Sequence, residues 1–198
     1  MKKLFLLCWL IASQLNAQTL DSRLLEHLYS LSKSTDVRFE KFISSTTTPI
    51  GVGLPVIYLA SGFATKNKNL QQHGWHALGS FVVASSITQL TKRIVLRERP
   101  FVAEPQRFTA RISEEDINYS FRSGHATTAF NAATTLTLHY PKWYVAVPAY
   151  AWASAVGYSR MSLGVHYPSD VLAGAVTGAA SAWLTYKIQQ KWLNRKAK

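Results

Sequence analysis

The chain has 198 residues, a formal net charge of +12 and one cysteine, Cys8. This length fits a single domain with a sizeable apolar core, and one cysteine excludes an internal disulfide and argues against thiol chemistry. The positive charge leaves three kinds of partner: nucleic acid, an anionic membrane surface or a phosphorylated substrate.

Residues 1–17 have the pattern of a signal peptide or a short N-terminal anchor. Two lysines precede an apolar run from Leu4 to Ala12, and Ala17 is a plausible cleavage point. Leu15 is an imperfect match for the small residue preferred two positions before the cut, so an uncleaved anchor remains the alternative. Both interpretations predict export or membrane insertion.

Residues 18–48 are predicted to form an amphipathic N-terminal segment. The stretch from Leu20 to Phe42 has leucines at positions 24, 25, 28 and 31 with charges between them. This pattern predicts a helix that lies along a membrane surface or one that simply packs on a helical bundle.

Residues 49–198 are predicted to form one all-α domain, a membrane-embedded helical bundle of about five to six spans. Five runs without Asp, Glu, Lys or Arg approach the roughly 20 residues that cross a bilayer, and they are rich in small and hydroxyl residues that let membrane helices approach closely. A soluble bundle is the alternative, supported by a mean hydropathy of only −0.01, although soluble helices normally carry a charged face. The runs are residues 42–65, 69–91, 123–141, 143–159 and 171–186.

Positive charges in the connections predict an orientation. Lys66 and Lys68 follow the first run and a basic tail follows the last, so both regions are expected in the cytoplasm. The segment before Pro49, the loop from about Lys92 to Arg122 and the turn from Arg160 to Tyr167 then face outward. The basic residues in that outer loop violate the tendency of positive charges to stay in the cytoplasm. A functional role explains their position more easily than topology does.

The first cluster of residues suited to binding or catalysis extends from Lys92 to Pro100, just after the second charge-free run ends. Lys92 and Arg99 are seven residues apart, two helical turns, and are expected to point the same way. Two cations on one side suit a tetrahedral anion, whereas the structural alternative is cations that reach to a membrane interface.

The second cluster, Ser123-Gly124-His125, opens the third run. Ser123 is a suitable helix N-cap, and Gly124 lets the backbone approach a ligand at a helix start, where free N–H groups attract phosphate. His125, in the first turn of that helix, is a candidate to donate a proton to a leaving oxygen. The alternative is that Ser123 is only a cap and His125 only structural.

The third cluster surrounds Asp170, the only acidic residue in the last 82 positions. Asp170 follows His166 by four residues, so on a helix it shares a face with that imidazole and orients it. Arg160 supplies a guanidinium fork that fits phosphate oxygens. The alternative is a capping acid at a helix that begins at Pro168.

Together the clusters resemble the tripartite signature of the type 2 phosphatidic acid phosphatase and vanadium haloperoxidase superfamily. The match reads Lys92-(six residues)-Arg99-Pro100, then Ser123-Gly124-His125, then Ser159-Arg160-(five residues)-His166-(three residues)-Asp170. It covers about residues 50 to 186 with the family's order and inner spacing. Arg122 stands where the family usually has proline; it is expected to shape the turn, to add a cation near the pocket and to affect substrate preference.

The resemblance implies a phosphatase that removes phosphate from a lipid phosphate or diphosphate through a phosphohistidine, without metal or cofactor. It implies a multi-pass protein of a bacterial-type inner membrane with the active site facing the periplasm or exterior. The implied catalytic residues are the nucleophile His166, its orienting acid Asp170 and the proton donor His125. The implied substrate-binding residues are Lys92, Arg99, Ser123, Gly124 and Arg160.

Four alternatives stay open at this stage: a soluble exported acid phosphatase of the same superfamily, a vanadate-dependent haloperoxidase, a non-enzymatic protein that binds or transports anionic lipids, and a nucleic-acid-binding protein. The last lacks the aromatic-basic platform that such binding uses. Undecaprenyl diphosphate, phosphatidylglycerophosphate, phosphatidic acid and lipid A phosphates all fit as substrates. The expected partners are therefore a lipid phosphate and the bilayer, without nucleic acid.

Overall fold

A computed structural model describes residues 18–32, 37–113 and 119–196, and these form helices without a strand. The predicted all-α fold is confirmed. The signal peptide or anchor predicted for residues 1–17 lies outside the described residues. The helices are α1 over residues 18–31, α2 Arg38–Ser45, α3 Thr47–Ala64, α4 Lys68–Val95, α5 Pro100–Ala103, α6 Gly124–His139, α7 Trp143–Ser162 and α8 Pro168–Lys196.

The five charge-free runs fall on the five long helices α3, α4, α6, α7 and α8. Among the described residues, one stretch, Arg38–Ala64, is both long and apolar enough to cross a membrane by composition, with a hydropathy of 1.3. Helices α4 and α8 also include charged and amide residues near one end, such as Lys68 and Lys187, and α6 is rich in threonine. The positions of the helices are thus confirmed, and the number of spans stays a prediction.

The N-terminal segment is two helices, so the expectation of one helix from Leu20 to Phe42 is wrong. The chain leaves the helical conformation at Ser32, and α2 begins at Arg38. Helix α1 packs Leu25 and its neighbours against the loop that precedes α6. Its buried cluster consists of Leu25, Tyr29, Phe108 and Tyr167.

Close packing of α6 on α8 brings two of the three sequence clusters together. A Cβ atom at Gly174 would lie 2.7 Å from the carbonyl oxygen of Ser123, and one at Gly178 would lie 2.2 Å from that of Thr127. Both distances are shorter than side chains tolerate, so only glycine permits this approach. Asn131 then donates a hydrogen bond across the interface to the carbonyl of Gly178, over 3.2 Å.

Candidate active site

His166 lies in the loop between α7 and α8, is 2% exposed, and has a different environment at each ring nitrogen. Its Nδ1 is 3.7 Å from Oδ2 of Asp170 and 3.5 Å from the hydroxyl of Ser120. Its Nε2 is 3.5 Å from a guanidinium nitrogen of Arg99. The contact with Asp170 is of ion-pair length and must shorten to become a hydrogen bond. Because the acid lies beside Nδ1, the Nε2 lone pair faces the arginine.

Asp170 both caps a helix and faces the imidazole, so its two interpretations are compatible, and its catalytic role stays a prediction. It is the third residue of α8 and accepts a hydrogen bond of 3.0 Å from the backbone N–H of Tyr167, in the manner of a capping acid. The same Oδ2 accepts the Ser120 hydroxyl over 2.5 Å. Its other oxygen accepts from Arg97 over 2.7 Å. The carboxylate is fully buried, and these contacts satisfy it.

Arg99 reaches His166 by a route that differs from the predicted one. Helix α4 ends at Val95 because Leu96 adopts a left-handed conformation with φ of 48°. The idea that Lys92 and Arg99 share one helical face is therefore wrong. Arg99 instead has extended backbone at the start of α5, is buried, and donates to the carbonyl of Val165 over 3.2 Å. Lys92 lies half-buried in the last turn of α4.

Arg160 lies in the last turn of α7 and is almost fully buried. Its guanidinium donates to the hydroxyl of Ser44 on α2 over 2.7 Å, so the N-terminal segment helps to hold it. Burial lowers the pKa of His166 to about 4 against the opposing effect of Asp170, and the positive charges of Arg160 and Arg99 lower it further. The imidazole is therefore neutral near pH 7, so a nitrogen lone pair is available as a nucleophile.

The start of α6 joins the same region. Ser123 is the N-cap as predicted, because its hydroxyl accepts from the N–H of Ala126 over 3.3 Å. Its own N–H donates to the backbone carbonyl of Asp170 over 3.1 Å, which ties this cluster to α8. Gly124 and His125 follow in the first helical turn and line a cavity between α3, α4 and α6.

Arg122 lies between α4 and α8. Its guanidinium donates to the hydroxyl of Thr91 over 3.1 Å and to the hydroxyl of Thr177. Its hydrogen bonds are therefore made to neutral threonines beside the start of α6. The effect of this residue on substrate preference stays a prediction.

Three residues of the site were not identified from the sequence: Ser120, Arg97 and Asp21. Arg97 joins both carboxylates, since it donates to Asp170 over 2.7 Å and to Asp21 on α1 over 2.6 Å. Its guanidinium also lies 4.0 Å above the ring of Tyr167. Asp21 in turn accepts from the backbone N–H of Ser169, over 3.0 Å, in the first turn of α8. For Arg97 the sequence offered one signal, which is its position in the basic cluster two residues before Arg99. The sequence offered no signal for Ser120 or Asp21.

Three other histidines meet at the far end of the bundle. His76 lies 2.8 Å from His139 through its Nδ1 and 2.9 Å from the carbonyl of Ala182 through its Nε2. Since the carbonyl only accepts, Nε2 of His76 carries the proton, and His139 donates to Nδ1. His73 stacks on His139 with ring centroids 3.8 Å apart. Within the described ranges, no His, Cys, Asp or Glu side chains are grouped to hold a metal.

Comparison with known proteins identifies the family. The model of the PAP2 superfamily matches residues 73–194, more than half of the chain. The chain belongs to the PAP2 superfamily. The resemblance seen in the three sequence clusters is therefore confirmed.

Similar PAP2 proteins include enzymes that are named for lipid phosphates. An undecaprenyl-diphosphatase of Sulfolobus acidocaldarius is 35% identical over 111 residues, which are 56% of this chain and 52% of that protein. A lipid A 4'-phosphatase of Bacteroides thetaiotaomicron is 37% identical over 73 residues, 37% of this chain and 32% of that protein. The chain thus spans about a third to a half of the length of these curated relatives.

The fold of this PAP2 chain is also similar to a solved structure. The first transmembrane PAP2 type phosphatidylglycerolphosphate phosphatase from Bacillus subtilis matches with a TM-score of 0.70 at 25% sequence identity. The match covers 96% of this chain and 95% of that one. The likeness therefore extends beyond the three clusters to nearly the whole helical arrangement.

Proposed function

We propose that this protein is a membrane phosphatase that removes phosphate from a lipid phosphate or diphosphate, with His166 as the nucleophile. The two-sided environment of the His166 ring carries the proposal. Its Nδ1 faces Asp170 and Ser120, while its Nε2 lies beside Arg99. Such an imidazole offers its lone pair to the anion that the arginine attracts. The names of the relatives support lipid phosphates as the substrate class.

The first chemical step forms a bond between Nε2 of His166 and phosphorus as the bond to the leaving oxygen breaks. The electron pair of the broken bond stays on the leaving oxygen, which takes a proton from the imidazolium of His125. Positive charge develops on His166, and Asp170 stabilises it through the Nδ1 proton. Arg99 and Arg160 stabilise the negative charge of the equatorial phosphoryl oxygens.

The second step returns the enzyme to its starting state. Neutral His125 takes a proton from water, and the water oxygen attacks phosphorus. The bond between phosphorus and His166 breaks, its electron pair returns to Nε2, and inorganic phosphate leaves. Each histidine thus ends the cycle in the protonation state in which it began.

The remaining binding roles fall on Lys92, Ser123 and Gly124. Backbone N–H groups at the start of α6 suit a phosphate oxygen, and Lys92 adds a further cation. Cationic and N–H donors therefore meet the phosphoryl charge, and we propose that the reaction needs no metal.

Apolar side chains that face outward support a location in the bilayer. On α8, Leu172 and Val176 are 67% and 61% exposed, and Ile57 on α3 and Leu90 on α4 are exposed to a similar extent. Large exposed apolar side chains thus recur on three long helices, and extensive apolar surface is typical of sites that contact a membrane, which weighs against a soluble acid phosphatase. We propose a multi-pass protein in which the end of the bundle that holds His166 faces the exterior or periplasm. The basic turn at Lys66 and Lys68 and the basic C-terminal tail lie at the opposite end, which is therefore expected in the cytoplasm.

Phosphate release by the purified full-length protein in detergent tests the reaction. His166→Ala should lower turnover of lipid phosphates at least about a thousandfold, and EDTA should not inhibit the wild type. His27→Ala is the matched control, because His27 is exposed on α1. Brief reaction with a lipid that carries labelled phosphate should leave an acid-labile, base-stable label on the wild type and none on His166→Ala. Substantial turnover by His166→Ala would rule out a covalent mechanism through His166.

Single cysteines test the orientation. In a Cys8→Ser background, Gln106→Cys lies in the loop before α6 and Lys142→Cys in the turn between α6 and α7. A membrane-impermeant maleimide added to intact cells should label the first and not the second. The reverse labelling would place the site inside.

A further inference from the structure

Arg122 places a positive charge between two helices without an acidic partner. Its guanidinium donates to the hydroxyl of Thr91 on α4 over 3.1 Å and to the hydroxyl of Thr177 on α8. In the part of the chain that the structure describes, no carboxylate pairs with it. Arg97, by contrast, contacts both Asp170 and Asp21. The charge of Arg122 is thus left without a counter-charge among the described residues.

The two threonines accept hydrogen bonds from Arg122 but bring no negative charge. Each gives its own proton to its helix, Thr91 to the carbonyl of Ile87 over 2.5 Å and Thr177 to that of Ala173 over 2.7 Å. Arginine has five side-chain N–H donors, and two of them have an acceptor in the described residues. The Nε group is buried without a hydrogen-bond partner. Native proteins usually satisfy such groups, so the guanidinium still lacks acceptors.

Electrostatics lead to the same conclusion. Burial lowers the pKa of the Arg122 guanidinium, and no neighbouring acid raises it again. Burial acts on the pKa of Arg97 in the same direction, but Asp170 and Asp21 outweigh it and raise that pKa. A half-buried cation without a counter-charge is unfavourable, and in membrane proteins such residues usually bind a partner. An anion beside Arg122 would supply the missing charge and the missing acceptors.

The position of the guanidinium separates it from the reaction that we propose at His166. Thr177 follows Asp170 by seven residues on α8, which corresponds to about 10 Å along the helix. A phosphate oxygen must lie within about 3 Å of a guanidinium nitrogen to accept a hydrogen bond from it. The anion that suits Arg122 is therefore a second one, apart from the phosphoryl group at His166.

The surface beside this guanidinium is apolar. Leu90, next to Thr91 on α4, is 62% exposed, and Val176, next to Thr177 on α8, is 61% exposed. Exposed apolar side chains of this kind are typical of surface that contacts a membrane. An anionic lipid matches both features, because its chains cover the apolar side chains while its phosphate meets the cation.

We propose that Arg122 forms a second anion site, which binds the phosphate group of an anionic membrane lipid between α4 and α8. The inference rests on the proposed location in the bilayer and goes beyond the proposed reaction, since this lipid is a bound component and not the substrate. A guanidinium fork fits two phosphate oxygens. Free phosphate shares this chemistry, and the test tells the two sources apart.

Binding of phosphatidylglycerol to the purified full-length protein in detergent tests the inference. This lipid is a phosphodiester, so it carries the negative charge but no terminal phosphate that a phosphatase removes. Thermal unfolding over a range of lipid concentrations gives its apparent affinity, with phosphatidylcholine as the zwitterionic comparison and inorganic phosphate as the free anion. We expect the wild type to bind phosphatidylglycerol at least about fivefold more tightly than phosphatidylcholine, since one basic residue near an anionic lipid contributes roughly this factor.

Arg122→Met should abolish this preference, although methionine retains most of the apolar stem. Without added lipid the variant should unfold at the temperature of the wild type or higher, because it removes an uncompensated charge. A lower temperature would show that the threonines already satisfy the guanidinium, and would count against a ligand. Arg122→Lys keeps the charge without the fork and should bind phosphatidylglycerol with intermediate affinity. Arg93→Met is the matched control, because Arg93 is an exposed cation in the last turn of α4, and it should change the affinity less than about twofold.

The outcomes separate the inference from the proposed reaction. An unchanged preference in Arg122→Met, or an equal loss in Arg93→Met, overturns the inference. A response to inorganic phosphate alone that depends on Arg122 overturns the assignment to a lipid. His166→Ala should keep the preference for phosphatidylglycerol; its loss there would place the lipid in the reaction site and also overturn the inference. Turnover by His166→Ala would refute the proposed nucleophile and leave the anion site at Arg122 in place.

Discussion

Replacement of Arg97 by methionine tests how strongly a long-range ion pair holds the carboxylate behind His166, the proposed nucleophile. Arg97 contacts Asp170 over 2.7 Å; its side chain is 20% exposed, and that of Asp170 is fully buried. Removal of one partner leaves an uncompensated buried charge, which costs about 3 to 5 kcal/mol. Because the arginine retains some contact with solvent, we expect the low end, a loss of about 3 kcal/mol in the free energy of unfolding. Methionine retains most of the apolar stem.

Arg107 offers a matched control in the loop that precedes α6. It also pairs with two carboxylates, Glu104 and Glu26, and the second of these lies on α1. Its side chain is 37% exposed and that of Glu26 is 56% exposed, so solvent screens the pair. We therefore expect Arg107→Met to cost less than about 1 kcal/mol. Thermal unfolding of the purified full-length variants in detergent, followed by tryptophan fluorescence, measures both losses.

The rate provides a second measure of the same contact. Displacement of Asp170 by a fraction of an ångström weakens its hold on His166, and we expect kcat of Arg97→Met to fall about a hundredfold with little change in KM. Arg107→Met should retain the wild-type kcat. If Arg97→Met loses no more stability and no more activity than Arg107→Met, the conclusion that Arg97 positions the carboxylate is refuted.

Three further predictions concern the proposed nucleophile, the helix packing beneath it and its neighbouring serine. The low pKa of His166, about 4, means that the attacking neutral form is lost only as pH falls through about 4. Arg160→Gln removes a positive charge, raises this pKa and should move the acid limb of the kcat profile to higher pH; an unmoved limb would contradict the assignment. Gly178→Leu should destabilise the fold by more than about 3 kcal/mol in thermal unfolding, because a Cβ there lies 2.2 Å from the carbonyl of Thr127. Ser120→Ala should lower kcat about tenfold at unchanged KM, and wild-type kinetics would show that its bond to the carboxylate is dispensable.

The positions of the long helices were accessible from sequence because the signal is local. Runs without charge mark the helices whatever they pack against, and small residues such as Gly174 and Gly178 mark where two of them approach. The Ser123 cap was equally local. Hydropathy together with length identified less, since one stretch among the described residues passes both tests and α6, with 16 residues, is too short to pass.

The charge-free runs and the basic connections predicted that the three clusters lie on one side of the bundle, but the spacing within the first cluster did not predict its geometry. Lys92 and Arg99 are two helical turns apart on paper, yet the left-handed Leu96 ends the helix between them. A leucine carries no sequence mark of this conformation, which side chains usually avoid. The predicted geometry of the basic cluster was therefore wrong, and its role in phosphate binding stays a prediction.

Contacts between distant segments were beyond the reach of the sequence. Asp21 and Ser169 are 148 residues apart, and Ser120 lies 50 residues before Asp170. No sequence periodicity relates positions so far apart, and Asp and Ser side chains are common on ordinary protein surfaces. Of the two interpretations of the N-terminal segment, packing on the bundle agrees with the structure, but the contact of Asp21 on α1 with the start of α8 was not predicted.

The double role of Asp170 has a consequence for how this protein tolerates change. In many enzymes the catalytic groups strain the fold, and their removal raises the melting temperature at the expense of activity. Here the acid behind His166 also begins α8, through its bond to the N–H of Tyr167. Selection for thermostability alone would retain it, so a library screened only for robustness should keep this proposed catalytic group without ever being assayed for turnover.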